Sequence, residues 1–319
     1  MRINSILFNM FSFVRKTLPD DIYYSRLFIP LRIMYGETAK NKKRAYLRFD
    51  VHIANHCNMN CKSCEHFSPL APKSFIDIKK YENDCSCIAG LINGGGGVDE
   101  ISLLGGEPLL LNPQLLIDVI KISRSHFPDT AINITTNGLL LNNQTEEFWN
   151  CCRTNNINII VSVYPANIDH YLLMDTAKKH DVQFQFRGNV KLVSKNWKEL
   201  PIEFMSESWK LFPIDVEGRQ NPKKSNALCY ASNFSFQLVE GKLYKCWRVA
   251  YAKYFNSYFN KQLEVTEDDY IDIYKAASID EILEKLRKPA PFCRYCKMDG
   301  GKAVKWGKSK REISEWVAD

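Results

Sequence analysis

The sequence predicts an α/β fold built on parallel strands, and three observations carry that prediction. From residue 46 onward, short apolar runs rich in Ile, Val and Phe alternate with helix-like segments. The runs are bounded by Gly, Asn or Pro, as strands are. Polar, glycine-bearing turns stand at the ends of the runs, where parallel α/β sheets collect their ligands. Repeated strand–helix units of this kind imply parallel strands joined by right-handed crossovers.

Taken in order, residues 1–45 form a leader with two apolar, helical-looking pieces, the second running from Tyr23 to Pro30. A basic cluster from Lys40 to Arg44 closes it. The leader reads as a helical cap on the main domain, with an interfacial membrane helix as the alternative. Strands are expected at Tyr46–Ala54, Glu100–Leu104, Ala131–Thr135, Ile157–Val163 and Val182–Phe186, with a sixth at Val190–Ser194. Helices are expected near Asp77–Leu91, Pro113–His126, Thr145–Thr154 and Asp169–His180. These strands are too few to close an eight-stranded barrel. Further on, Phe234 to Leu243 reads as a β-hairpin turning at Glu240-Gly241.

The chain of 319 residues suffices for one large domain and a small one. Its 45% hydrophobic and 25% charged residues are ordinary for a globular protein. A net charge of +7 favours anionic partners by long-range steering, although a solvated basic surface explains it equally well. The eleven cysteines are odd in number and partly in tight clusters, which argues against a disulfide framework and for a reduced, cytoplasmic setting. Asn4, Asn9 and Arg15 interrupt the apolar N-terminus and no small-residue cleavage site follows, so no signal peptide is expected. No run of about 18 uncharged apolar residues occurs, so no membrane span is expected. No nucleic-acid partner is expected either.

The chemistry starts at Cys57-Asn58-Met59-Asn60-Cys61-Lys62-Ser63-Cys64, directly after the first strand. Three thiolates suit an iron–sulfur cluster, with zinc or redox cysteines as alternatives from spacing alone. A cubane held by three cysteines leaves one iron open to a small ligand, by the logic that separates catalytic from structural zinc. The second strand ends in Gly105-Gly106-Glu107-Pro108, the third in Thr135-Thr136-Asn137-Gly138, and the fourth in Ser162-Val163-Tyr164-Pro165.

This order of motifs resembles the radical S-adenosylmethionine (SAM) superfamily. The resemblance implies a partial (β/α)6 TIM-like barrel and a 4Fe–4S cluster on Cys57, Cys61 and Cys64 whose open iron is chelated by SAM. It implies that Glu107, after Gly105 and Gly106, accepts a hydrogen bond from the methionyl ammonium. Thr136 and Asn137 would face the SAM ribose, and Ser162 matches a serine at the end of the following strand. Arg187 could pair with the SAM carboxylate. The chain departs from the pattern where Tyr164 and Pro165 replace Asp and Gly. It departs again where Ser63 replaces an aromatic residue that packs on adenine, leaving His66 and Phe67 as candidates for that space.

A second set comprises Cys229, Cys246, Cys293 and Cys296, and from spacing alone zinc and iron–sulfur are equal readings. The set resembles the twitch domain, the shorter relative of the SPASM domain, which implies a fully ligated auxiliary 4Fe–4S cluster. The expected organisation is therefore a leader at 1–45, a barrel at 46–215 and a small auxiliary-cluster domain at 216–319. Cys85, Cys87, Cys151 and Cys152 read as small buried hydrophobes. The basic run over 287–311 reads as a solvated surface, or as a seat for a substrate phosphate or an acidic electron donor.

The expected function is a radical SAM oxidoreductase that oxidises a polar small molecule, a sugar or cyclitol alcohol, while the auxiliary cluster accepts an electron. An anionic substrate such as a sugar phosphate or nucleotide sugar, and a flavodoxin- or ferredoxin-type electron donor, are the expected partners. The alternatives are a peptide-modifying maturase, a sugar epimerase, and a non-catalytic iron–sulfur or zinc module.

Overall fold

The computed structural model describes residues 26–34, 46–92, 97–166, 168–188, 190–192, 202–204, 208–229, 231 and 236–317. The leader up to residue 25, its basic cluster, residues 193–194 of the expected sixth strand, and Phe234 and Ser235 of the expected hairpin lie outside them.

The barrel half runs β1 (Tyr46–Ala54), α1 (Ile78–Leu91), β2 (Gly97–Gly105), α2 (Pro113–His126), β3 (Ala131–Thr136), α3 (Glu146–Thr154), β4 (Ile157–Ser162), α4 (His170–Lys179) and β5 (Gln183–Arg187). The five strands pair in chain order and parallel throughout. Each helix starts where a side chain can satisfy its orphan N–H groups. Asp77 accepts from the amides of Lys79 and Lys80, Asn112 from Gln114, Thr145 from Phe148, and Asp169 from Leu172. These caps fix the helix starts within a residue of the expected ranges.

Alternation along β1 explains the layering. Leu47, Phe49, Val51 and Ile53 are buried in the main core, with Ile101, Leu103, Ile132, Ile134, Ile159 and Val161 from the neighbouring strands. Tyr81, Cys85 and Ile88 of α1, Leu116, Val119 and Ile120 of α2, and Phe148 and Cys152 of α3 close that core from outside. Cys151 is also buried and Cys87 half-buried, as expected of packing cysteines. The opposite face of β1 carries Arg48, Asp50 and His52.

Beyond β5 the chain departs from expectation. β6 (Val190–Leu192) pairs antiparallel with β7 (Ile202–Phe204) in a sheet of their own. The expected sixth strand therefore does not extend the parallel sheet. The rest comprises β8 (Ser208–Leu211), α5 (Pro222–Leu228), β9 (Phe236–Val239), β10 (Lys242–Tyr244), α6 (Trp247–Ala250), α7 (Ala252–Phe259), β11 (Tyr270–Asp272), α8 (Ile279–Arg287) and β12 (Lys302–Lys305). The sheet grows at its other edge, where β9 lies parallel to β1 and β10 and β11 follow antiparallel. The result is one open eight-stranded sheet, ordered β11-β10-β9-β1-β2-β3-β4-β5.

The hairpin β9–β10 turns at Glu240 (φ 48°) and Gly241 (φ 77°), the pair of positive angles that a tight two-residue turn needs. The Gly241 amide donates to Asp84 of α1 at 2.9 Å, which ties the turn to the barrel. β12 pairs antiparallel with β8. A second core forms from Phe67, Tyr251, Phe255, Leu263, Phe292, Tyr295 and Trp316, locking the C-terminal segment against the loop after β1.

Candidate active site

The strands β1 to β5 end at a single cavity of about 690 Å³. That volume is in the range of small-molecule sites. Cys57, Cys61, Cys64, Gly105, Gly106, Thr136, Asn137, Ser162 and Arg187 all line it. The sequence-predicted residues are thus brought together, with Glu107 the exception.

Burial pushes the Cys57 thiol up to about 11 and the Cys61 thiol up to about 12, and it raises Cys64 as well. The nearby thiols add to the rise at Cys57 and Cys61. Such thiols ionise when a cationic centre binds them. Among the described residues no three His, Cys, Asp or Glu side chains converge closely enough to hold a single metal ion. Thiolates on one zinc lie about 2.3 Å from a common centre. The three cysteines line one side of a space shared with the glycine turn and the turn after β3.

The loop that carries them is strained. Asn60, Ser63 and Phe67 have φ of 49°, 57° and 56°, in the left-handed region that costs a non-glycine residue about 1–3 kcal/mol. The C-terminal segment holds it in place. The Lys62 amide donates to the Gly307 carbonyl at 2.7 Å and the Ser309 amide to the Asn60 carbonyl at 2.8 Å, around a bridge between Cys61 and Lys308. Ser63 Oγ donates to the Glu315 carbonyl at 2.6 Å, and the Trp316 indole to the Cys64 carbonyl at 2.8 Å. Part of the basic run is thus structured: Lys302 and Lys305 lie on β12, and Lys308 faces Cys61.

Gly105 and Gly106 owe their identity to backbone packing. A Cβ on Gly105 would stand 2.2 Å from the Ala54 carbonyl oxygen, and one on Gly106 would stand 2.1 Å from that of His56. The close approach lets the Gly106 amide donate to Ala54 and the Glu107 amide to His56, pinning the cysteine loop to the end of β2.

Glu107 lies outside the lining of this cavity. Its fully buried carboxylate accepts from Leu109 N at 3.1 Å, Thr136 Oγ1 at 2.6 Å and Asn137 N at 2.8 Å. Asn137 Nδ2 in turn donates to Asn58 Oδ1 at 2.8 Å and approaches Cys57 Sγ at 3.7 Å. In this structure the two motifs hold each other and the cysteine loop, because a buried carboxylate needs donors and the turn after β3 supplies them.

Of the two candidates for the space beside Ser63, Phe67 packs into the second core near Phe255 and Trp316. His66 lines the cavity and stacks on Trp247, with ring centres 5.3 Å apart. Its Nδ1 lies 2.7 Å from His52 Nε2, and His52 stacks on Tyr251 at 3.7 Å. Burial holds both imidazoles neutral, pushing His66 down to about 4 and His52 well below its usual value.

Several lining residues were not singled out from the sequence: Arg48, Asp50, Glu100, Ser102 and Trp247. Arg48 pairs with Glu100, and Ser102 Oγ reaches Glu100 at 3.3 Å. Gln237 Nε2 of β9 donates to Asp50 at 2.7 Å. Burial, with Glu100 adding to it, pushes the Asp50 carboxyl up to about 7. The available signal was alternation: Arg48, Asp50 and His52 occupy every second position of a strand whose other face is apolar.

Cys229, Cys246, Cys293 and Cys296 line a second, much tighter cavity of about 40 Å³. Burial is again the leading cause of their raised thiols, with Cys229 at about 11 and Cys293 at about 12. Four half-buried cysteines around one small space suit a closed cluster. Glu65 and Trp247 line both cavities and form the wall between them.

A protein family described as "4Fe-4S single cluster domain" matches residues 47–177. The GTP 3′,8-cyclase of Nautilia profundicola is 32% identical over 101 residues, 31% of this chain and 30% of that protein. The GTP 3′,8-cyclase of Clostridium botulinum is 33% identical over 110 residues, 33% of this chain and 31% of its own length. The chain thus spans about a third of the curated relatives it matches. Among solved structures, BtrN in complex with AdoMet and 2-DOIA aligns at a TM-score of 0.46 with 17% identity, covering 80% of this chain and 94% of that one. Native anSMEcpe with bound AdoMet aligns at 0.44 with 13% identity, over 78% and 83% of the two chains.

Proposed function

We propose that this protein is a radical SAM oxidoreductase, with a 4Fe–4S cluster and S-adenosylmethionine as cofactors, acting on a polar small molecule of sugar or cyclitol type. When bound, those cofactors supply a 5′-deoxyadenosyl radical, and a second cluster in the cysteine quartet supplies an acceptor for one electron. The observation that carries the reading is the wall of Glu65 and Trp247, which sets the quartet directly beside the cavity where a substrate would sit.

The chain's own residues supply recognition and proton handling. Asp50, Glu100 and Ser102 offer acceptors and a hydroxyl to a polyhydroxylated ligand, and Arg48 and Arg187 offer donors. Asp50 is our candidate base, taking the hydroxyl proton as the carbinol carbon is oxidised to a carbonyl. A base poised near neutral pH serves that task well. Arg48 is paired with Glu100 and Glu65 with Arg248, which leaves Lys62 and Arg187 opposite Asp50 around the cavity.

The test is reduction of iron-replete protein under argon with SAM and a panel of carbon-deuterated inositols, amino-inositols, free sugars and sugar phosphates. The expected result is deuterium in 5′-deoxyadenosine and a product lighter by two hydrogens. Absence of 5′-deoxyadenosine overturns the enzyme reading. A product of unchanged mass, with solvent hydrogen at the attacked carbon, replaces the oxidoreductase with an epimerase.

A further inference from the structure

Two cysteines from different sites are linked by a short chain of polar contacts. Glu65 follows Cys64 directly in the sequence, and its carboxylate forms an ion pair with Arg248. The Arg248 guanidinium also donates from Nη2 to the Phe212 carbonyl at 2.6 Å, and its Nη1 lies 3.7 Å from Cys296 Sγ. Its side chain is only 8% exposed, so solvent does little to screen it. Arg248 is placed there by α6, which begins directly after Cys246.

We propose that Glu65 and Arg248 form a polar bridge between the two cysteine sites, with Arg248 the positioning residue that sets the redox poise of the quartet's cluster. The proposal rests on reading the quartet as a 4Fe–4S site. Hydrogen bonds to ligand sulfurs and nearby net charge are the levers a protein uses on cluster potentials. A guanidinium against Cys296 stabilises the reduced, more negative state. Glu65 opposes it by neutralising part of that charge, while orienting the guanidinium through its ion pair.

The test is an anaerobic redox titration, followed by electron paramagnetic resonance, on the full-length reconstituted protein and three variants. Arg248→Gln should lower the midpoint potential of the second cluster, and Glu65→Gln should raise it. The double variant should depart from the sum of the two, because contacting residues couple. Arg248→Lys keeps the charge without the planar fork and should shift the potential less than Arg248→Gln. Unchanged potentials in Arg248→Gln at full iron content overturn the bridge. If Arg248→Gln does not retain its irons, an unchanged second-cluster potential in Glu65→Gln overturns it instead. Zinc in the quartet of the unsubstituted protein, with irons for one cubane only, overturns the cluster reading itself and the bridge with it.

Discussion

At the scale of single residues, Asp50 and Glu107 show how the same side-chain chemistry acquires two roles. Burial pushes both carboxyls up to about 7. Glu107 is fully buried among three protein donors and so holds the turns after β2 and β3 together. Glu107→Gln places an amide where one carboxylate oxygen accepted from a backbone N–H. Urea unfolding should show a loss of about 1–3 kcal/mol, the cost of leaving a buried donor unsatisfied. SAM binding by equilibrium dialysis should weaken along with the cysteine loop. Asp50 faces the cavity, so its change is read in catalysis. As a base it works ionised, so product formation should rise with pH through about 7. Asp50→Asn should abolish that limb and slow product formation by roughly 10²–10⁴. Stability moves the other way. A carboxyl whose folded value is raised favours the folded state below its ordinary value of 3.8, and that contribution is lost as pH climbs to about 7. The urea midpoint should therefore fall across that window in the unsubstituted protein and fall less in Asp50→Asn.

At the scale of elements, the C-terminal segment governs the loop that carries the first three cysteines. Three left-handed residues strain that loop, and the strain persists only where surrounding structure imposes it. The clasp from Gly307 to Trp316 makes five hydrogen bonds with it among the described residues. A chain ending at Lys305 should therefore bind about four fewer irons while the quartet keeps its own. Iron analysis after anaerobic reconstitution checks this, and full iron content in the shortened chain would show that the loop holds itself. Glu315 supports the clasp by accepting from Ser309 Oγ at 2.7 Å and Lys310 N at 2.6 Å. Glu315→Ala should produce a partial version of the same loss.

At the scale of the whole molecule, one open sheet carries both cysteine sites. β1 belongs to the barrel, and β9 and β10 lead into Cys246, so the strand pairing of β1 with β9 sets the distance between sites. Reconstituted protein should hold about eight irons and eight sulfides per chain. Ala at Cys57, Cys61 and Cys64 together should remove half of them and abolish SAM cleavage. Ala at Cys293 and Cys296 should remove the other half and leave cleavage uncoupled from product. Ordinary cleavage in the first variant would refute the site. Among the described residues no helix is long and apolar enough to cross a membrane.

The sequence by itself determined the elements that are locally encoded. Periodicity gave the four barrel helices and five strands to within about three residues, because Asp77, Asn112, Thr145 and Asp169 satisfy helix ends without help from afar. Cysteine spacing and the glycine turns marked which loops meet, since loops at the ends of parallel strands share one rim. Tertiary structure decided what depends on partners distant in sequence. The strand at Val190 has the right composition, but β9 takes the place beside β1, while Val190–Leu192 pairs with Ile202–Phe204 instead. Glu107 carries the same formula facing a ligand or facing Thr136, and only the packing of β2 against β3 sets it against Thr136. The polar face of β1 was written in the alternation of Arg48, Asp50 and His52. That this face lines a cavity, rather than a salt-bridged interior, follows from an open sheet whose far edge is extended by a hairpin from the C-terminal third.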